Sequence, residues 1–290
     1  MGSFDRILEI LIKICTAFTF FMLVFLIVYM TVEGLPVFQT VSPVNFIFGT
    51  EWNPVGETGE FGILAMILGS FYVSSLAICM ALPIGIGCAV CICFCIQEKG
   101  GRILLSFIDM LAGVPSVIFG FIGLMIVVRF FESTIGISSG ECVLAGAVLL
   151  AVMILPFIIT NCTESLTNGR TLYEGPSLNL GVSSWYTIRR IILPQSFRAV
   201  GVSLILAFSR AMGETMAVMM VMGNASVLPE LLHKGETIPA LIALEMGSAA
   251  YDSPHYHALY AAGLVLLVML VLCNLLFYFF KNHFREWGRQ

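Results

Sequence analysis

The sequence predicts an all-α membrane protein with six transmembrane helices and both termini in the cytoplasm. Three observations carry this: too few charges to clothe a surface in water, uncharged runs long enough to cross a bilayer, and Lys and Arg gathered on one side of those runs. Of 290 residues, 59% are hydrophobic and 11% charged. A soluble domain carries about 25% charged residues. With a mean hydropathy of +0.98, the chain needs membrane lipid as its solvent over much of its surface. The formal net charge of −4 excludes a dominantly basic nucleic-acid surface, so no nucleic-acid partner is expected.

A helical span needs about 20 apolar residues. Six stretches qualify, at roughly 10–32, 63–96, 103–128, 142–162, 199–223 and 257–280. The apolar run from Ile14 to Val32 is too long for a signal-peptide core and has no small-residue cleavage site, so it reads as a retained first span. The second run is longer than one crossing requires. Pro83, Gly85 and Gly87 predict a kink or tilt within it, and no polar turn divides it in two.

With the N-terminus inside, the inner segments hold Arg6, Lys13, Lys99, Arg102, Arg170, Arg189, Arg190, Arg198, Lys281, Arg285 and Arg289. The outer segments hold only Arg129 and Lys234, and Arg210 alone lies within a span. This bias sets the orientation. Acidic residues such as Glu33, Glu51, Glu57, Glu60, Glu230 and Glu245 fall mainly outside. The chain divides into residues 1–60, the first span and an outer loop, and residues 61–290, a five-helix core with a long cytoplasmic loop at 163–198. The outer segment 33–62 is rich in turn residues, including Pro36, Pro43, Pro54 and Gly56. The outer segment 224–256 predicts a short helix near Ile238–Gly247.

Arg210 and Glu214 are the residues that most demand an explanation. An ionisable group in mid-span costs about 2.5–3.5 kcal/mol on insertion scales and usually faces a polar pathway. Their i, i+4 spacing predicts one helix face and partial mutual neutralisation. A guanidinium stays charged and offers forked donors suited to a tetrahedral oxyanion, and the Glu would keep that grip reversible. The bland alternative is a buried ion pair that fixes helix packing. In the third span, Pro115 and the flanking Gly113 and Gly120 interrupt helical regularity, with Ser116 among them, and such a break predicts a face toward the bundle interior. Asp109 stands one turn earlier. The loop at 163–198 predicts a helix starting near Pro176 or Ser177, a break at Gly181 and a second helix ending before Pro194. A mere connection would be shorter, so a cytoplasmic partner is expected to dock there.

No phosphate-binding Gly-rich loop, no Ser-His-Asp set and no HExxH motif is present. No cofactor and no catalytic residue are expected, and any ATP must be bound by another chain. Of nine Cys, five crowd between Cys79 and Cys95. Cys88, Cys91 and Cys95 could share a face, but no His or carboxylate joins them before Glu98, and packing of soft side chains is the favoured reading. His255 and His257 diverge on a helix and read as loop polarity.

The cytoplasmic loop resembles the EAA loop of ABC-importer permeases, whose pattern is Glu-Ala-Ala-x-x-x-Gly-(x)9-Ile-x-Leu-Pro. Gly181, Ile191, Leu193 and Pro194 match at the expected spacing. Glu174 falls one residue early, and Pro176 and Ser177 stand where Ala residues belong. Four stretches, FGTEWNPVGETGEFG at 48–62, AGVPSVIFGFIGL at 112–124, this loop, and RAMGETMAVMMVMGN at 210–224, resemble the permease subunits of phosphate importers over nearly the whole chain. The resemblance implies a type I (MetI-like) importer permease in the plasma membrane of a prokaryote. It also implies a PstA-like second permease subunit, a dimer of PstB-like ATPases and a PstS-like phosphate-binding protein outside. Inorganic phosphate would pass by Arg210, Glu214, Thr215, Pro115 and Ser116. Glu174, Gly181, Arg189, Ile191, Leu193 and Pro194 would couple to the ATPases. The alternatives are a permease for another oxyanion, such as sulfate or molybdate, and an ion-coupled secondary transporter using Glu214.

Overall fold

The computed structural model describes residues 3–54, 59–136 and 139–287. The expected turn residue Gly56, the acidic Glu57 and the basic Arg289 lie outside these segments. The side chains of Arg6, Arg198, Lys281 and Arg285 lie outside the described side chains.

Helices dominate because lipid offers backbone groups no hydrogen-bond partner. Helix α1 (Ser3–Gly34) leads through a short turn to α2 (Pro43–Phe48) and a two-residue hairpin, β1 (Trp52–Asn53) with β2 (Glu60–Phe61). Then follow α3 (Leu64–Phe94), α4 (Glu98–Ala112), α5 (Ser116–Ile122) and α6 (Val143–Asn179). The chain continues through α7 (Ser184–Thr187), α8 (Leu193–Met212), α9 (Met216–Val221), α10 (Ile238–Glu245) and α11 (Pro254–Trp287). Among the described residues five helical segments are long and apolar enough to cross a membrane, and a bent pair, Ser184–Ser196 with Val200–Met212, makes a sixth.

The expected spans at 63–96, 142–162 and 257–280 correspond to single helices, and Pro83 sits inside α3 without dividing it. The third span differs. Residues 103–128 form no single helix: α4 closes at Gly113, and the crossing segment is Ser116–Thr134. Proline explains the shift, because Pro115 excludes Val114 from helical geometry and its fixed φ of −58° opens the next helix instead. The fifth span, expected at 199–223, is likewise broken. It bends by 46° between Ser196 and Val200 and stops at Met212, and α9 resumes at Met216.

The centre of the bundle is α3 packed along α6, with α8 and α9 against them. Close approach is made by small residues. A Cβ on Gly85 would lie 2.6 Å from Ile158 Cγ2, and one on Gly146 would lie 2.6 Å from Met222 Cγ. Ala77, Ala81 and Ala147 are fully buried in the same seam. Without a hydrophobic drive between helices in lipid, van der Waals contact at such small residues is what holds them together. Helix α1 stands apart from this seam. It leans on α11, where Tyr29 meets Tyr260 edge-on at 5.7 Å, and presents Phe18, Phe20 and Phe21 outward.

A second core closes one end of the bundle, here called the hairpin end. Phe46, Phe61, Ile63 and Met66 pack with Ile238, Leu241 and Leu259, so the described residues of the two outer segments, 33–54 with 59–62 and 224–253, are folded onto each other and onto α11. The expected short helix there is α10, capped by Thr237, whose side chain accepts from the Ala240 N–H. Trp52 Nε1 donates to Glu245 Oε2 at 2.9 Å, and His255 Nε2 lies 2.7 Å from the same oxygen. His257 Nδ1 lies 2.7 Å from the Glu33 carbonyl. The two histidines are thus staples between segments rather than loose polar groups.

Gly69 shows how tight this end is: a Cβ there would lie 2.2 Å from the Glu236 carbonyl oxygen. A backbone oxygen cannot swing aside, so Gly69→Ala should lower stability by about 1–3 kcal/mol. The loss would be read as a drop in the unfolding temperature of the detergent-purified protein.

Candidate functional site

Arg210 lies in the last turn of α8, where the helix stops. The residues that stop it are Gly213, Glu214 and Thr215. Glu214 N–H reaches back to the Ala211 carbonyl at 3.3 Å, while its Oε1 accepts from the Ala217 N–H at 3.4 Å and so opens α9. Thr215 Oγ1 donates to the Gly213 carbonyl at 3.4 Å. The expected sharing of one helix face by Arg210 and Glu214 therefore fails. The helix ends between them, and no ion pair within 4.0 Å joins them among the described residues. The physical reason is that the carboxylate satisfies a backbone N–H freed by the break, which a continuous helix would not have exposed.

Arg210 instead lays its guanidinium over the Phe157 ring of α6, 4.3 Å from the centroid. Such a contact contributes about 0.5–2 kcal/mol, with the larger figure for desolvated sites. Among the described residues no hydrogen bond or ion pair occupies the guanidinium N–H donors, and Arg210 is exposed on the surface of this chain. One turn further along α6, Thr160 Oγ1 donates to Asp109 Oδ1 of α4 at 2.8 Å. On the other side, Ser209 Oγ lies 2.8 Å from Asn274 Oδ1 of α11. A polar strip thus runs across α4, α6, α8 and α11 on an exposed face of this chain.

Pro115 is exposed and Ser116 half-buried at the start of α5, and no described hydrogen bond or ion pair joins either to Arg210 or Glu214. The interior face of this segment belongs to later glycines. A Cβ on Gly120 would lie 2.7 Å from Met220 Sδ, and one on Gly123 would lie 2.7 Å from Leu149 Cδ2. Gly120 lets α5 dock on α9, and Gly123, just past the end of α5, meets both Leu149 of α6 and Val221 of α9, so the third span lies against the helix that follows the break at Gly213–Thr215.

At the end opposite the hairpin, α6 does not begin anew near Pro176 but runs through it to Asn179. Proline there removes one hydrogen bond close to a helix end, where the loss is small. The turn that follows is a Schellman motif: Val182 N–H donates to Ser177 O at 3.0 Å and Gly181 N–H to Leu178 O at 2.9 Å. Gly181 takes φ +76°, a left-handed conformation that glycine alone adopts without penalty. Ser183 then caps α7, accepting from the Tyr186 N–H. The second helix does not end before Pro194. Ser184–Ser196 is one helical segment: its turns widen over Ile188–Ile192, and Pro194 follows directly, second in α8.

The loop is anchored from below and bare at its tip. Glu174 accepts from Arg170 Nε at 2.6 Å, Arg170 Nη1 also donates to the Cys93 carbonyl at the end of α3, and Ile192 packs into the space left by Gly169. Arg189 and Pro194 are exposed, and Ile191 and Leu193 are half-buried. Sequence reasoning missed the tip itself. Leu180 is 82% exposed and Trp185 69%, with Tyr186 beside them. An aromatic pair directly after the Ser183–Ser184 pair, just past the Gly181 turn, was the available signal.

The hairpin end holds a cavity of about 640 Å³ between the two folded segments, lined by Glu51, Trp52, Glu60, Ser226, Glu230 and His233. A hydrogen bond with Glu51 and its adjacent charge hold Glu60 above the usual carboxylate range. Nearby Glu236 is only 4% exposed and accepts from Ser226 Oγ at 2.9 Å. Burial pushes its carboxyl from 4.5 up to about 7; the Ser226 hydroxyl pulls it back, and the charge of Glu245 adds to the rise.

The family model described as binding-protein-dependent transport system inner membrane component matches residues 81–287. The chain is 38% identical over 253 residues to the probable ABC transporter permease protein YqgH of Bacillus subtilis, covering 86% of this chain and 82% of that one. It is 33% identical over 256 residues to the phosphate transport system permease protein PstC of Mesorhizobium japonicum, covering 81% and 77%. The corresponding protein of Xylella fastidiosa is 32% identical over 289 residues, covering 91% and 86%. Among solved structures, an inward-facing MetNI methionine ABC transporter shares the fold at TM-score 0.51 and 18% identity, covering 77% of this chain and 92% of that one.

Glu236 makes the hairpin end sensitive to pH. A raised carboxyl stays protonated in the fold while the unfolded chain ionises above about 4.5, so stability is undiminished below that value, declines as pH climbs and is lowest above about 7. Glu236→Gln remains neutral and should remove this slope. Its unfolding temperature should match the parent protein near pH 4.5 and exceed it near pH 8, by the equivalent of about 3 kcal/mol.

Proposed function

Because the chain belongs to the family of binding-protein-dependent transport system inner membrane components, we propose that it is the permease subunit of an ATP-driven phosphate importer. Permease subunits of this family are non-catalytic and work with a partner permease, cytoplasmic ATPases and a binding protein. In this reading those partners are PstA-like, PstB-like and PstS-like. Phosphate rests on the relatives whose names carry it and on a site chemistry that suits a tetrahedral oxyanion.

The hairpin end faces outward and receives the loaded binding protein, in keeping with the gathering of Lys and Arg at the other end. Both termini are then cytoplasmic. Residues 1–60 form the peripheral first span with its outer loop, and residues 61–290 form the transporting core. The loop at 163–198 docks in the ATPase dimer through Glu174, Gly181, Arg189, Ile191, Leu193 and Pro194, with Leu180, Trp185 and Tyr186 as the apolar tip that enters a cleft. Its ties to α3 and α6 make it a rigid lever, so closure of the ATPases rocks the spans between inward-facing and outward-facing arrangements.

The observation that carries this reading is Arg210, a guanidinium at a helix break within an apolar bundle, exposed on the chain surface and stacked so that its donors remain available. A charge so placed needs a polar surrounding, which a path shared with the second permease subunit supplies. Glu214, Thr215, Pro115 and Ser116 border that path. Phosphate meets forked donors there without covalent chemistry.

Uptake of radiolabelled phosphate by proteoliposomes holding the whole complex tests the proposal. Arg210→Ala should reduce uptake at least about tenfold, and Arg210→Lys should fall well short of the parent protein because the fork is lost. Undiminished uptake by Arg210→Ala removes the residue from the path. Import of sulfate or molybdate in place of phosphate overturns the substrate, and uptake that follows an ion gradient without the ATPases overturns the class.

A further inference from the structure

The carboxylate presented to the Arg210 face is not Glu214. Glu214 is engaged with the start of α9. Asp109, one turn before the end of α4, is held by the Thr160 hydroxyl of α6 at 2.8 Å. Phe157, which carries the Arg210 guanidinium, precedes Thr160 by three residues on the same face of α6, about 4.5 Å along the axis. Glu164 follows one turn after Thr160 and is exposed. From the hairpin end toward the 163–198 loop, this face therefore offers a cation and then two carboxylates.

We propose that Asp109 is a release residue for the anion: its charge, one helical turn beyond Arg210, weakens the grip of the guanidinium and speeds departure toward the loop end. The inference rests on the placement of Arg210 in the phosphate path. A lone guanidinium in a site of low dielectric would hold a multiply charged oxyanion strongly. Passage requires binding favourable enough to enter and weak enough to leave. A negative charge placed on the exit side meets both needs, since it raises the energy of the bound anion more than that of the anion still at the entrance. Thr160 tempers that charge, because its hydroxyl donates to the carboxylate at 2.8 Å and takes up part of its negative field. No proton or bond is exchanged with phosphate. Asp109 acts on the anion through space and is a specificity-neutral tuning group.

The test uses the assembled complex in lipid nanodiscs, with retention of radiolabelled inorganic phosphate measured without ATP, and in proteoliposomes, with ATP-driven turnover. Asp109→Asn should retain phosphate on the order of tenfold more tightly while turning over more slowly, and Asp109→Glu should recover both. A merely structural role would weaken binding and turnover together. Thr160→Val keeps the charge but removes the donor that screens it, so its retention should fall by about threefold; this variant decides the matter if Asp109→Asn does not assemble. Retention and turnover of Asp109→Asn equal to those of the parent protein, or unchanged or tighter retention by Thr160→Val, overturn the release role. Arg210→Ala separates the two readings. If it binds and imports phosphate normally, the path itself is misplaced; if it loses phosphate while Asp109→Asn behaves as the parent protein, only the release role falls.

Discussion

Hydrocarbon supplies no partner for a peptide group, and the rest of this structure follows from that constraint. Spans can break only where protein atoms take over the lost hydrogen bonds. At the first break, Gly113 and Val114 N–H groups turn back to Met110 and Leu111 carbonyls. At the second, the Glu214 side chain receives the Ala217 N–H. The two breaks lie beside each other because Gly120 and Gly123 allow α5 to rest on α9. The same scarcity of polar partners explains why α3 and α6 meet through Gly and Ala, where contact area replaces the hydrophobic drive that water would provide.

The two ends of the bundle are built on different principles. The hairpin end is stapled by many polar links among segments distant in sequence, including Trp52 to Glu245 and His257 to Glu33. The loop end relies on a few strong ties near the helices, with Arg170 bridging Glu174 and the end of α3. Such an arrangement suits the proposed division of labour: a broad receiving surface at one end and a short lever at the other. Between them lies the polar strip of Asp109, Thr160, Arg210, Ser209 and Asn274, which brings charge onto an exposed face of the otherwise apolar spans.

Membership of the importer-permease family gives this layout its context. In that context the proposed phosphate site must not be a trap. The guanidinium stacks on an aromatic ring, which lends stabilisation without occupying its edge. The carboxylates near it are each tethered to something else, Glu214 to backbone and Asp109 to a hydroxyl. Among the described residues no ion pair within 4.0 Å closes either onto the cation, which suits the proposed contact with an anion.

Composition and periodicity alone determined the helical membrane class, the number of apolar runs and the marking of Arg210 and Glu214 as anomalous, because a charge in an apolar run is visible without coordinates. The Gly181-to-Pro194 spacing was equally legible, since a left-handed turn and an imino acid have local signatures. Only the tertiary structure decided where the spans end, that Pro115 moves the third crossing to Ser116–Thr134, and that α6 continues past Pro176. It also parted Arg210 from Glu214 and brought Asp109 to Thr160 across 51 residues of sequence. Those outcomes depend on which groups compete for each hydrogen bond once helices are packed, and a linear pattern contains the donors and acceptors but not their competitors.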